Sequence, residues 1–203
     1  MAKPSEFASW LMPETAGLRC VAGGFFIDPV RAVDRAVITH GHSDHARPGH
    51  GAVLATAETI AIMKARLGEQ CAGTFQPLRY GEPLTMHGVT VRLVPAGHIL
   101  GSAQVVIEHR GQRAVISGDY KRTIDATAVP FEPVRCDLFV TEATFALPVF
   151  RHEPDKSEIG KLLASLQAFP ERTHVIGAYS LGKAQRLIAL LRAAGYNDTI
   201  WLH

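Results

Sequence analysis

A chain of 203 residues, 47% of them hydrophobic, can bury a core large enough for one big domain or for one and a half. Lys and Arg number 21 against 19 acidic residues, and a net charge of +2 excludes bulk attraction to nucleic acid, so any such affinity must be local. Cys20, Cys71 and Cys136 are odd in number and lack C-x-x-C spacing, which argues against a disulfide framework or a thiolate cluster and for a reducing cytoplasm. The mixed start around Lys3, Ser5 and Glu6, and the absence of any ~20-residue apolar run, argue against secretion and membrane insertion.

Along the first 145 residues, short apolar runs are bounded by Gly, Pro or Asp, the pattern of successive strands. Gly24 to Ile27 reads as a strand stopped by Asp28-Pro29, and Arg35 to Thr39 as a buried strand leading directly into a histidine run. Thr56 is placed to cap a helix with Ile60, Met63 and Leu67 on one stripe and Gly68 as its stop. Val89 to Val94, Ala103 to Glu108, Arg113 to Ser117 and Leu138 to Thr141 continue the strand series, with a hairpin turn at Gly111-Gln112. A polar, breaker-rich stretch from Pro148 to Pro154 marks a boundary, dividing the chain into 1–145 and 146–203. Beyond it, Ser157 can cap a helix carrying Ile159, Leu162, Leu163 and Leu166, and Ala184, Leu187, Ile188 and Leu191 repeat that spacing up to Gly195. His174 to Ile176 and Thr199 to Leu202 read as short strands around the second helix, the rhythm of a parallel α/β unit.

The chemistry sits at the ends of the strands. His40-Gly41-His42-Ser43-Asp44-His45 packs four donors into six residues. Such a loop, placed just past a strand, can turn some side chains to one metal and the following pair to a second, and imidazole with carboxylate suits zinc or manganese. His98, in Pro95-Ala96-Gly97-His98, and Asp119, in Ser117-Gly118-Asp119-Tyr120, each follow an apolar run and a glycine. Alone, one would be a backbone-bonded histidine and the other a turn residue; beside the first cluster both read as ligands.

In this order, H-G-H-S-D-H, A-G-H-I-L-G-S and S-G-D-Y resemble the successive motifs of the metallo-beta-lactamase superfamily. Phe25 to His45, Pro95 to Val105, Ser117 to Arg122 and Thr141 to Leu147 look more narrowly like its beta-CASP nuclease branch, which includes messenger-RNA 3'-end processing factors. Phe25 to His40 and Ala178 to Arg186 are similar to elements of bacterial ligase-associated DNA exonucleases. The resemblance implies an α+β fold, an αββα sandwich with the start of an inserted α/β beta-CASP cap. It implies that His40, His42 and His98 hold one divalent ion, Asp44 and His45 hold a second, and Asp119 bridges the two. It further implies that Asp28 orients the histidine loop, while Glu142 either orients a catalytic histidine or closes a strand. Two such ions lower the pKa of a shared water toward ~7 and supply the nucleophile for phosphodiester hydrolysis, with Asp44 steering its proton.

Substrate contacts are expected at Ser180 and Lys183, at a helix start where free N–H groups attract phosphate, and at Arg186. A plain helix start with solvated basic residues is the alternative. Tyr120, Lys121, Arg122 and Arg47 follow the metal motifs and could grip a nucleic-acid backbone, or be solvated surface charge. The substrate expected is DNA ahead of RNA, in repair, with an ATP-dependent DNA ligase or a helicase as partner. Rival expectations are RNA processing by the same chemistry, hydrolysis of a small ester or lactam, and an inactive metal-binding module. The family pattern continues past this point with a late Asp-His element and a further histidine, so the resemblance implies a C-terminally truncated member ending at His203.

Overall fold

The computed structural model describes residues 7–202, so the polar start at Lys3 to Glu6 and the end at His203 lie outside the described residues. The chain divides into two compact units, one running to Glu142 and one starting at Ala143. Among the described residues, no helix is long and apolar enough to cross a membrane.

Two sheets form the first unit. One has six strands in chain order: β1 (Leu11–Glu14), β2 (Gly17–Cys20), β3 (Phe25–Ile27), β4 (Arg35–Val37), β5 (His50–Ala55) and β6 (Ala72–Pro77). Its first three strands pair antiparallel and β3 to β6 pair parallel. The other sheet is ordered β11-β10-β9-β8-β7, from β7 (Leu84–Met86), β8 (Val89–Pro95), β9 (Ala103–His109), β10 (Gln112–Ile116) and β11 (Leu138–Val140). Both β8 and β10 run antiparallel to β9, and β11 parallel to β10. The ends of β8, β10 and β11 therefore emerge at the same edge, and the residues that follow them are His98, Asp119 and Glu142.

Alternation along the strands decides which side chains enter the core. Val89, Val91 and Leu93 of β8, Val105 and Ile107 of β9, and Ala114 and Ile116 of β10 join Phe25, Ile27, Val37 and Leu54 in one apolar cluster between the sheets. The intervening Val94, Val106 and Val115 face outward under Val134 and Cys136, from the irregular segment 119–137. On the first sheet the outer residues Ala36, Val53 and Ala55 are covered by Ile60 and Met63 of helix α1 (Ala57–Leu67). Thr56 caps that helix by accepting from Thr59 N–H, and Gly68 ends it with a positive φ, both as the sequence implies. The α+β two-sheet fold expected from the motifs is thus present.

Some boundaries differ from the reading of the chain. The hairpin between β9 and β10 turns on Arg110 and Gly111, both at positive φ, one residue earlier than expected, because His109 pairs directly with Gln112. In the second unit, helix α2 (Asp155–Ala168) starts behind Pro154 rather than at Ser157, whose N–H instead bonds Pro154 O. Helix α3 (Lys183–Ala193) follows, with Gly195 at positive φ just past it. The expected strands at 174–176 and 199–202 are not formed: among the described residues neither segment has a partner strand, and a strand without a ladder leaves its backbone groups to water.

Candidate metal centre

Four loops build the site, each leaving the end of a strand. Asp28 follows β3, His40 to His45 follow β4, His98 follows β8 and Asp119 follows β10. The loops approach so closely that glycine is required at their crossings. A Cβ on Gly97 would come within 2.3 Å of Lys121 O, and one on Gly118 within 2.6 Å of the Thr39 side chain, and both glycines have positive φ.

The donor atoms converge. His40 Nε2 lies 3.0 Å and His98 Nε2 3.2 Å from His42 Nδ1, and Asp119 Oδ2 stands 3.8 Å from His40 Nε2 and 3.5 Å from His98 Nε2. These four ligand atoms all fall within 4.8 Å of one another. Asp119 turns its other oxygen, Oδ1, to His45 Nε2 at 3.4 Å, and that nitrogen is 3.6 Å from Asp44 Oδ2. Two donors each ~2.1 Å from a tetrahedral ion stand ~3.4 Å apart, so the spacing fits divalent-metal coordination. The donor chemistry fits as well, since three imidazoles and a carboxylate form a ligand set that suits a zinc-like divalent cation.

Supporting bonds hold the candidate donors. Asp28 Oδ2 accepts from His45 Nδ1 at 2.7 Å, which leaves His45 Nε2 facing Asp119 and Asp44. Asp28 also accepts from the Thr39 amide at 2.8 Å and the Thr39 hydroxyl at 2.6 Å. The His98 loop is pinned from within by Ser102 Oγ, which accepts from the His98 and Ile99 amides at 3.0 and 3.2 Å. From outside, the hydroxyls of Thr56 and Thr59 donate to Gly101 O, and that of Tyr80 to Ser102 O. Arg66 on α1 donates to Gly41 O inside the histidine run. Glu142 Oε1 accepts from Tyr120 N–H at 3.4 Å while its own N–H donates to Ser117 Oγ at 3.3 Å, tying the ends of β10 and β11 together beside Asp119.

The electrostatics match this layout. Burial, reinforced by the charge of His45, holds His40 well below the ordinary imidazole range, and burial lowers His98 too. Burial also opposes charge on His45, yet the hydrogen bonds it donates to Asp119 and Asp28 outweigh it and push it up to about 10. The same bond from His45 takes Asp119 down to about 2 against its own burial. A proton on His45 Nε2 would lie between that nitrogen and Asp119 Oδ1, on the face of the ring away from Asp28.

The expected substrate residues fare differently. Lys121 does not project toward a ligand: its ammonium lies 2.7 Å from Asp125 Oδ2, a buried carboxylate that also accepts from Thr127 N–H and Oγ–H. A buried charge must be paired, and Lys121 fills that role. Arg186 is ion-paired to Asp155 at the start of α2. The phosphate cradle expected at Ser180 to Lys183 is partly closed, because Gly182 N–H donates to Gln185 Oε1 and Ala184 N–H to Tyr179 O. Ser180 is exposed with its carbonyl accepting from Gln185 Nε2, and Lys183 lies over the Tyr179 ring at 4.8 Å. Tyr120 packs in an aromatic group with Phe131 and Phe139, and Arg47 and Arg122 are exposed. Thr39, Thr56, Thr59, Tyr80 and Arg66 were not legible as site residues, since nothing in their local sequence marks them.

The fold and the histidine-aspartate cluster are those of a metallo-beta-lactamase-type chain. No family model matches the chain. It is 32% identical over 190 residues to a "Probable DNA ligase" of Opitutus terrae, covering 90% of this chain and 18% of that protein. It is 29% identical over 199 residues to "Ribonuclease TTHA0252" of Thermus thermophilus, covering 85% of this chain and 46% of the relative. A crystal structure of an Enterococcus faecalis protein of unknown function superposes with a TM-score of 0.51 at 13% identity, over 78% of this chain and 44% of that one. The chain thus spans less than half the length of these curated relatives. With these relatives beside its motifs, the chain is recognised as a metallo-beta-lactamase protein of the beta-CASP branch.

Proposed function

We propose that this chain carries the two-ion centre of a nucleic-acid phosphodiesterase. One observation supports it above the others: Asp119 offers Oδ2 to the His40, His42 and His98 side and Oδ1 to the His45 and Asp44 side. Zinc is the ion proposed for both sets, with manganese the alternative. Bound there, divalent ions lower the pKa of water toward ~7 and offset charge on phosphate oxygens. The chain's own groups do the rest. His40, His42 and His98 hold one position and His45 with Asp44 the other, while Asp28 keeps the histidine rings in orientation. Asp44, whose side chain is 73% exposed, stands on the open side of the cluster, where it can take a proton. Glu142 fixes the Asp119 loop through the Tyr120 amide.

Within this reading, DNA end processing in the cytoplasm, as an exonuclease in repair beside a ligase, is proposed first. Similarity to the Opitutus terrae DNA ligase supports it. RNA is the second reading, supported by similarity to the Thermus thermophilus ribonuclease. The second unit, with its two helices, is proposed as the opening of the beta-CASP cap, which argues against a small ester or lactam as substrate. The test is cleavage of matched single-stranded DNA and RNA oligonucleotides by zinc-loaded and manganese-loaded protein. Preference for DNA by tenfold or more supports the first reading and the reverse preference the second. Failure to cut either, with lactam turnover or none, overturns the nuclease assignment.

A further inference from the structure

Thr39, between β4 and the first histidine, touches every loop that builds the site. Its amide and hydroxyl both donate to Asp28, its carbonyl accepts from Ala103 N–H at 2.8 Å just past the His98 loop, and its side chain lies where a Cβ on Gly118 would sit. It is 1% exposed, so water does not compete for its hydroxyl. That hydroxyl has a single proton and two close neighbours: Asp28 Oδ2 at 2.6 Å and His40 Nδ1 at 3.0 Å. A carboxylate only accepts, so the shorter bond takes the proton and the Thr39 oxygen is left to accept from the ring. His40 must then carry its hydrogen on Nδ1, and in the neutral ring the lone pair falls on Nε2, the atom that faces His42 and Asp119.

We propose that Thr39 is a positioning residue whose hydroxyl selects the metal-facing tautomer of His40, relaying Asp28 to a ligand that Asp28 does not itself touch. Asp28 then orients two ligands by different routes: His45 directly, and His40 through Thr39. The consequence for metal affinity rests on the metal-centre reading above; the tautomer does not.

The experiment is nitrogen NMR of histidine-labelled, metal-free protein at mildly alkaline pH, with zinc affinity measured in parallel by competition with a chromophoric chelator. In the unsubstituted protein His40 is expected to be protonated at Nδ1. Thr39→Val keeps the shape and removes the hydroxyl, so His40 is expected to shift toward the other tautomer and zinc affinity to fall ~10–100-fold. Thr39→Ser restores the hydroxyl and is expected to keep the tautomer and stay within about threefold in affinity. An Nε2-protonated His40 in the unsubstituted protein overturns the proposal, as does a Thr39→Val protein matching it, or a Thr39→Ser protein as impaired as Thr39→Val. Should Thr39→Val fail to fold, the unsubstituted spectrum still decides. Correct tautomers without zinc binding would sink the metal-centre reading and leave this one standing.

Discussion

His40 in the first unit is a polar side chain with 0% exposure, whereas Val175 and Trp201 in the second are apolar side chains 90% and 89% exposed. The sheets explain the first case. Four loops brought together at strand ends supply every polar atom of the His40 ring with a neighbour, so burial costs little and fixes geometry. In the second unit, two helices bury Ile159 and Leu191 but leave segments 173–179 and 196–202 without partner strands among the described residues. Order at an apolar residue comes from what packs on it, and these residues have less around them than a histidine does. The contrast predicts that substitutions in the first unit act through built contacts and those in the second through local propensity.

The largest effect is expected from Asp119→Ala, which removes one oxygen from each donor set. Metal content by elemental mass spectrometry should fall below half and strand cleavage by at least ~10²-fold; unchanged metal content would break the comparison, since the polar cluster would then not be organised around that carboxylate. Next is Gly97→Ala, which meets both a positive φ and Lys121 O, and should cost about 3 kcal/mol in urea unfolding. A cost under about 1 kcal/mol would mean that the His98 loop is not held against segment 121–131.

Asp125→Asn sharpens the same point through pH. Burial raises the Asp125 carboxyl, but the bonds from Lys121 and Thr127 outweigh it and hold it below the ordinary 3.8. A carboxyl depressed on folding contributes stability above its unfolded value, and this is lost as pH falls through the folded one. Unfolding curves should therefore separate the variant from the parent by about 2 kcal/mol at neutral pH and converge below pH ~3.8. A gap that persists at low pH would assign the effect to packing instead. Smallest, and opposite in sign, is Gly160→Ala in α2, where a Cβ meets nothing within 4 Å. Thermal unfolding of the second unit should rise by the equivalent of about 0.5–1 kcal/mol; a loss there would reveal packing on that helix face.

Much of the first unit is legible in the chain because its signals are local. Thr56 and Gly68 bracket a helix through their own backbone chemistry, and period-2 alternation in Val89 to Val94 assigns a face before any partner is known. The strands β1, β2, β5, β6 and β7 escape the same reading. They are short or carry Pro13, Gly51, Gly73 and Pro77, and their ladders are set by neighbours rather than by their own composition. The opposite error arises at 174–176 and 199–202, which have strand-like composition but no ladder.

The sequence by itself offered the donors proposed for the centre, since His40, His42, Asp44, His45, His98 and Asp119 each sit just past a strand end, and the structure gathers His40, His42, His98 and Asp119 of these into one group able to hold an ion. Only the tertiary structure decided which atoms meet. Asp28 bonding His45, Thr39 bridging Asp28 to His40 and three hydroxyls closing on the His98 loop all depend on which strands pair and in which direction. A side-chain hydrogen bond reaches about 3 Å, and the residues it joins here stand up to 45 positions apart in the chain. No local pattern carries that information; the pairing of β3 with β4 and of β8 with β9 and β10 does.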